Sequence, residues 1–250
     1  MLKMGYQSGQ LCIANSVPRV EPATLLTKGL KQFNISLLTE TALVTIAAIL
    51  AIRLSATSSI SNAVWFVSPA ILVAAALIPT AIRKTEFPKI GLNTKQITPS
   101  LLIVCRTGVV LFPIFFVGLW LLKSFGLGLP LRPVPPTEQG WVSWLFYQFM
   151  YVAVAEEVFF RGYVQSNILK LTKPGKNGRH RLFKWLSIVL SAACFAVAHI
   201  IIQGRIILLL TFLPGLVLGW LFIRTKSLLA PILFHGLANT CYCLMAATFI

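Results

Sequence analysis

The succession of apolar runs along this chain constrains its fold more than any other feature. Seven segments, at about 34–54, 60–82, 99–123, 141–171, 185–203, 206–223 and 228–250, are almost continuously apolar. Each lies near the ~20 residues that carry a helix across a bilayer core of about 30 Å. None shows the period-two alternation that a barrel strand requires. Open sheets cannot satisfy their backbone N–H and C=O groups in lipid, whereas a helix satisfies them within itself. The expectation is an all-α bundle of about seven transmembrane helices. Only 11% of residues are charged and 57% are hydrophobic, against about 25% charged in a soluble domain.

Charge sets the orientation. The chain carries 22 Lys+Arg, six glutamates and no aspartate, for a formal net charge of +16. In a soluble domain that excess would suggest nucleic acid, but here the bases cluster between apolar runs, where anionic headgroups meet them. No nucleic-acid partner is expected; the expected partner is the bilayer. With the N-terminus inside, the inner segments hold sixteen bases, among them Lys28, Lys31, Arg83, Lys84, Lys170, Arg181, Lys184, Arg224 and Lys226. The outer ends hold four: Arg53, Lys123, Arg132 and Arg205. This asymmetry predicts a multi-pass cell-membrane protein with a cytoplasmic N-terminus and an outer C-terminus. Arg106, six residues into the third span, is within reach of the inner surface and reads as an interfacial anchor.

Residues 1–33 are polar and basic, without the continuous apolar core of a secretory signal, and read as a cytoplasmic tail. Residues 21–31 suit a short surface helix with Pro22 in its first turn. Residues 34–140 form a first set of membrane helices, and the Pro-rich stretch 129–136 is an extended outer loop. The five cysteines (Cys12, Cys105, Cys194, Cys241 and Cys243) form no CxxC motif and no disulfide framework. Gly215 and Gly219 form a GxxxG pair whose expected role is close packing inside the bundle, and Pro214 before them is expected to kink the sixth helix.

The chemistry concentrates in residues 141–250. Glu156 and Glu157 are the only acids deep within apolar sequence, and one charge at mid-bilayer costs roughly 2.5–3.5 kcal/mol on insertion scales. Arg161 follows Glu157 by four residues, so the two share a helix face and an ion pair offsets part of that cost. Two of the three histidines, His199 and His235, also lie within spans, whereas His180 falls in a basic loop. Counted along straight helices from the basic loop at 170–184, Glu156 and His199 are level, each roughly 21–23 Å from it. Asn239 reaches a similar depth in the last span, with His235 one turn away on the same side. Three helices can thus place Glu156, His199, His235 and Asn239 around one cavity.

Two chemistries suit that set. Glu156 acts as a general base which, with His199, activates water for attack on a carbonyl, and His235 and Asn239 donate to the oxyanion. Alternatively, Glu156, His199 and His235 ligate zinc, which acidifies the same water. Both end in amide hydrolysis.

The same residues carry a family resemblance. Glu156-Glu157-Val158-Phe159-Phe160-Arg161 resembles the EExxxR motif of the CPBP family, the CAAX-processing and bacteriocin-processing (Abi) intramembrane proteases. Phe195 to His199 is similar to its FxxxH motif, and His235 to Asn239 to its HxxxN motif. The three stand in order on successive spans, and the resemblance covers about residues 141–245. It implies an intramembrane endopeptidase with Glu156, His199, His235 and Asn239 as the catalytic residues and Glu157 and Arg161 in support. Its substrate would be a membrane-associated peptide or protein. A glutamate-type mechanism without a cofactor is favoured over a zinc-dependent one. The competing expectations are a non-catalytic immunity or scaffold protein on the same fold, and a proton-coupled transporter, which ought to show the internal repeats that this sequence lacks.

Overall fold

The computed structural model describes residues 35–57, 64–86, 94–127, 140–171 and 179–248. The basic tail, the Pro-rich loop at 129–136, residues 172–178 of the basic loop and the side chain of His180 lie outside the described residues.

Seven helices follow one another at the expected positions: α1 (Ile35–Thr57), α2 (Val64–Ile82), α3 (Thr94–Ser124), α4 (residues 140–170), α5 (Arg179–Gln203), α6 (residues 206–225) and α7 (Leu229–Ala247). No strand occurs among the described residues. The protein is an all-α membrane helix bundle. Four of the helices are long and apolar enough to cross a membrane by length and composition. Val67–Ile82 and Leu229–Met245 are shorter apolar helices. Leu43, Ile46 and Leu54 on α1 and Val109, Val110, Ile114 and Trp120 on α3 are all exposed. A continuous apolar exterior of this kind is a surface for lipid chains.

Several threonine hydroxyls that enter this apolar setting are satisfied by their own helices. Thr41 donates to the Leu37 carbonyl and Thr45 to that of Thr41, each at 2.7 Å, which removes the cost of an unpaired hydroxyl in lipid.

Helix α4 is the axis of the bundle and departs from straight α-geometry. Gly140–Phe146 is α-helical, Tyr147–Ala153 is π-helical, Val154–Glu157 is α-helical, Val158–Gln165 is again π-helical, and Ser166–Lys170 closes the helix. Residues from Val158 to Ile168 are buried without exception. Wide π turns are uncommon and recur at functional sites. Here they frame the glutamate pair on both sides.

Helix α6 opens as a 3-10 turn over Ile206–Thr211 and becomes α-helical at Phe212–Thr225. Pro214 sits just after the change from 3-10 to α geometry, in the first turn of the α-helical part. Gly215 and Gly219 face inward. A Cβ at Gly215 would lie 3.1 Å from the Ala192 Cβ, and one at Gly219 would lie 3.1 Å from the Gln165 Oε1. The glycines let α6 approach α5 and α4 closely. A tight turn then reverses the chain: Lys226 takes a left-handed conformation with φ 54°, its N–H bonds the Phe222 carbonyl at 2.8 Å, and the buried Ser227 hydroxyl accepts from Leu229 N–H at 3.1 Å. A core of Val104, Leu218, Leu221, Ala230 and Phe234 joins α3, α6 and α7.

Candidate active site

The pairing suggested by the spacing of Glu157 and Arg161 is present. Both side chains are fully buried, and Arg161 Nη1 donates to Glu157 Oε1 at 2.8 Å. Burial of such a pair is tolerable only when its remaining hydrogen-bonding capacity is used. Arg161 Nη2 donates to the Gly215 carbonyl at 3.1 Å, and the guanidinium lies 4.8 Å from the centre of the Phe195 ring. One helical turn further on, Gln165 repeats the device and donates to the Gly219 carbonyl at 3.0 Å. Ser191 on α5 donates to the Phe160 carbonyl at 2.8 Å. A carbonyl is free to accept there because a π turn displaces the ordinary i→i−4 ladder.

The second partner of Glu157 comes from α7. His235 Nδ1 lies 2.8 Å from Glu157 Oε1, so the carboxylate orients the imidazole by accepting its Nδ1–H and leaves Nε2 turned toward chemistry. That Nε2 is 3.8 Å from Glu156 Oε2. The Glu156 side chain is 20% exposed, and its Oε2 has no hydrogen-bond partner among the described residues. Arg161, Glu157, His235 and Glu156 thus form one connected chain of charged and polar groups. α7 comes close enough for this because Gly236 has no side chain: a Cβ there would stand 2.5 Å from the Phe149 ring.

His199 and Asn239 reach the same place from the other side. Together with His235 they line a cavity of about 490 Å³, enclosed by apolar residues including Phe112, Phe115, Leu122 and Phe195. The His199 Nδ1 lies 2.9 Å from the Phe195 carbonyl, which fixes that nitrogen as the donor and leaves Nε2 as the acceptor. Among the described residues no hydrogen bond or ion pair joins His199 to Glu156; the imidazole beside Glu156 is that of His235. Asn239 donates to Gln148 Oε1 at 3.0 Å and keeps a second amide hydrogen.

Two participants were not visible in the sequence reading. Gln148 lies in an aromatic stretch with nothing to tie it to Asn239. Phe195 was noted only as a motif position, yet its ring neighbours Arg161 and both site histidines, at 4.4 Å from the His199 ring and 5.9 Å from that of His235.

The residues do not fit a zinc ion as they stand. Among the described residues no three His, Cys, Asp or Glu side chains stand close enough together to hold a metal; the bonds at Nδ1 of His235 and His199 leave both Nε2 atoms free. The described cysteines, Cys105, Cys194, Cys241 and Cys243, form no disulfide.

Comparison with known proteins bears on the same segment. No curated protein and no solved structure matches the chain significantly. Residues 138–241 match the family model of the Rce1-like proteins, described as type II CAAX prenyl endopeptidase Rce1-like, and the matched segment contains Gln148 and all seven of the motif residues. The similarity to that family of CAAX prenyl endopeptidases covers residues 138–241, less than half of the chain.

Proposed function

We propose that the protein is an intramembrane endopeptidase in which Glu156 draws a proton from water as that water attacks a peptide carbonyl. The observation that carries this reading is Glu156 Oε2, a buried oxygen 3.8 Å from His235 Nε2 that has no hydrogen-bond partner among the described residues. A water there meets the carboxylate on one side. Glu156 is not among the residues that line the cavity, but His235 belongs to both; His199 Nε2, left as an acceptor by the bond to Phe195, takes the water's other hydrogen from the cavity side. A positioned base of this kind contributes typically 10²–10⁴-fold.

As the tetrahedral intermediate forms, negative charge grows on the carbonyl oxygen. His235, oriented through Nδ1 by Glu157, turns Nε2 toward the reacting centre, and the second amide hydrogen of Asn239 adds a donor. Glu156 then returns its proton to the departing amine. Arg161 and Glu157 act through His235, as positioning residues. The apolar cavity receives the membrane-embedded part of a peptide or lipid-modified substrate, in keeping with the prenylated CAAX class named in the description of the family. The positive-inside asymmetry places the N-terminus in the cytoplasm.

The test is hydrolysis of membrane-tethered peptides in H2¹⁸O by protein reconstituted in lipid. The reading predicts one ¹⁸O in the new carboxyl terminus, formed together with a free amine. Transfer to another acceptor without ¹⁸O would contradict it, and so would binding of the peptides without cleavage.

A further inference from the structure

A second cavity, of about 470 Å³, lies between α3 and α6, lined by Pro99, Ser100, Arg106, Arg224 and Thr225 with apolar neighbours. It sits at the C-terminal end of α6 and six residues along α3 from Phe112 of the first cavity, about 9 Å by helical rise. Neither guanidinium has an ion pair or hydrogen bond among the described residues, and no glutamate lines the cavity. Ser100 is 1% exposed, and its hydroxyl also lacks a partner. An anchoring arginine only has to reach outward to bulk headgroups. Two on different helices converging on one cavity with a buried donor make an anion site. The flanking Leu101, Leu102, Val109 and Val110 side chains are exposed and apolar, so the cavity opens beside a surface suited to acyl chains.

We propose that this cavity binds the phosphodiester of an anionic phospholipid. Arg106 and Arg224 hold the phosphate oxygens, the Ser100 hydroxyl donates to one of them, and the acyl chains run along α3. Guanidinium geometry suits tetrahedral oxyanions, and the two positive charges favour a headgroup of net negative charge over a zwitterionic one.

The experiment is native mass spectrometry of the full chain released from nanodiscs of equal phosphatidylglycerol and phosphatidylcholine. The wild type should retain phosphatidylglycerol. Arg106→Gln and Arg224→Gln should each lower retention about tenfold, the order of one charge-assisted hydrogen bond, and Ser100→Ala should lower it less. Lys226→Gln removes an adjacent exposed charge outside the lining and should change nothing; a loss equal to that of Arg106→Gln would reduce the effect to general attraction and overturn the site. Displacement of the lipid by millimolar inorganic phosphate would overturn the headgroup assignment in favour of soluble phosphate. A rise in KM confined to peptides with a free C-terminal carboxylate, in Arg106→Gln and Arg224→Gln, would assign the cavity to substrate instead.

Discussion

Removing Arg161 tests how the site is held together. In Arg161→Met the Glu157 carboxylate stays fully buried with His235 as its one remaining hydrogen-bond partner, and the Gly215 carbonyl loses its donor. Stripping one member from a buried ion pair costs about 3–5 kcal/mol, and an orphaned carbonyl adds about 1–3 kcal/mol where no water reaches it. Glu157→Gln keeps an acceptor for both Arg161 and His235 but leaves the guanidinium without a counter-charge, at a cost of similar size. The double variant removes both charges and should be clearly less damaging than the two single losses together. At about 2–4 °C per kcal/mol for a chain of this length, each single variant should melt roughly 6–20 °C below wild type. Thermal unfolding of all four proteins in one detergent yields the coupling energy. Additive losses, or a loss under about 1 kcal/mol for Arg161→Met, would refute the reasoning that this pair is a mutually dependent buried unit.

Three further outcomes follow from the packing and hydrogen bonds. Gly236→Ala drives a methyl into the Phe149 ring and should cost about 1–3 kcal/mol, more than Gly219→Ala, whose nearest neighbours stand at 3.1 and 3.2 Å; melting temperatures check the order. Gln148→Leu frees Asn239 from its acceptor and should lower kcat about tenfold, short of the 10²–10³ expected for Asn239→Ala, with KM little changed in a peptide-cleavage assay. Glu40→Gln breaks a half-exposed ion pair with Arg83 at 3.3 Å and should cost under about 1 kcal/mol, leaving cleavage unaltered.

The positions of the helices were legible because lipid imposes length and continuous apolarity on each span, and the seven helices begin and end within a few residues of the apolar runs. Glu157 and Arg161 could be paired from a spacing of four, and the burial of Glu157 and partial burial of Glu156 followed from where the acids fall. His199, His235 and Asn239 do line one cavity, as depth counting anticipated. Glu156 is not among the lining residues, and its neighbouring imidazole is that of His235. Fifteen residues of α4 are π-helical, and a reading built on 3.6 residues per turn contains no sign of that. The bonds from Arg161 and Gln165 to the Gly215 and Gly219 carbonyls were also hidden, because a backbone acceptor has no residue-type signature. The glycines showed only that something must come close.

The central claim rests on Glu156 as the base, and the most direct measurement is the single-turnover cleavage rate of wild type and Glu156→Gln, with and without a strong chelator. Glutamine keeps the shape and removes the base. The account predicts a fall of about 10²–10⁴-fold in the variant, with wild-type activity unchanged by chelator. Equal rates in wild type and Glu156→Gln, or a wild-type activity abolished by chelator and restored by zinc, would contradict it.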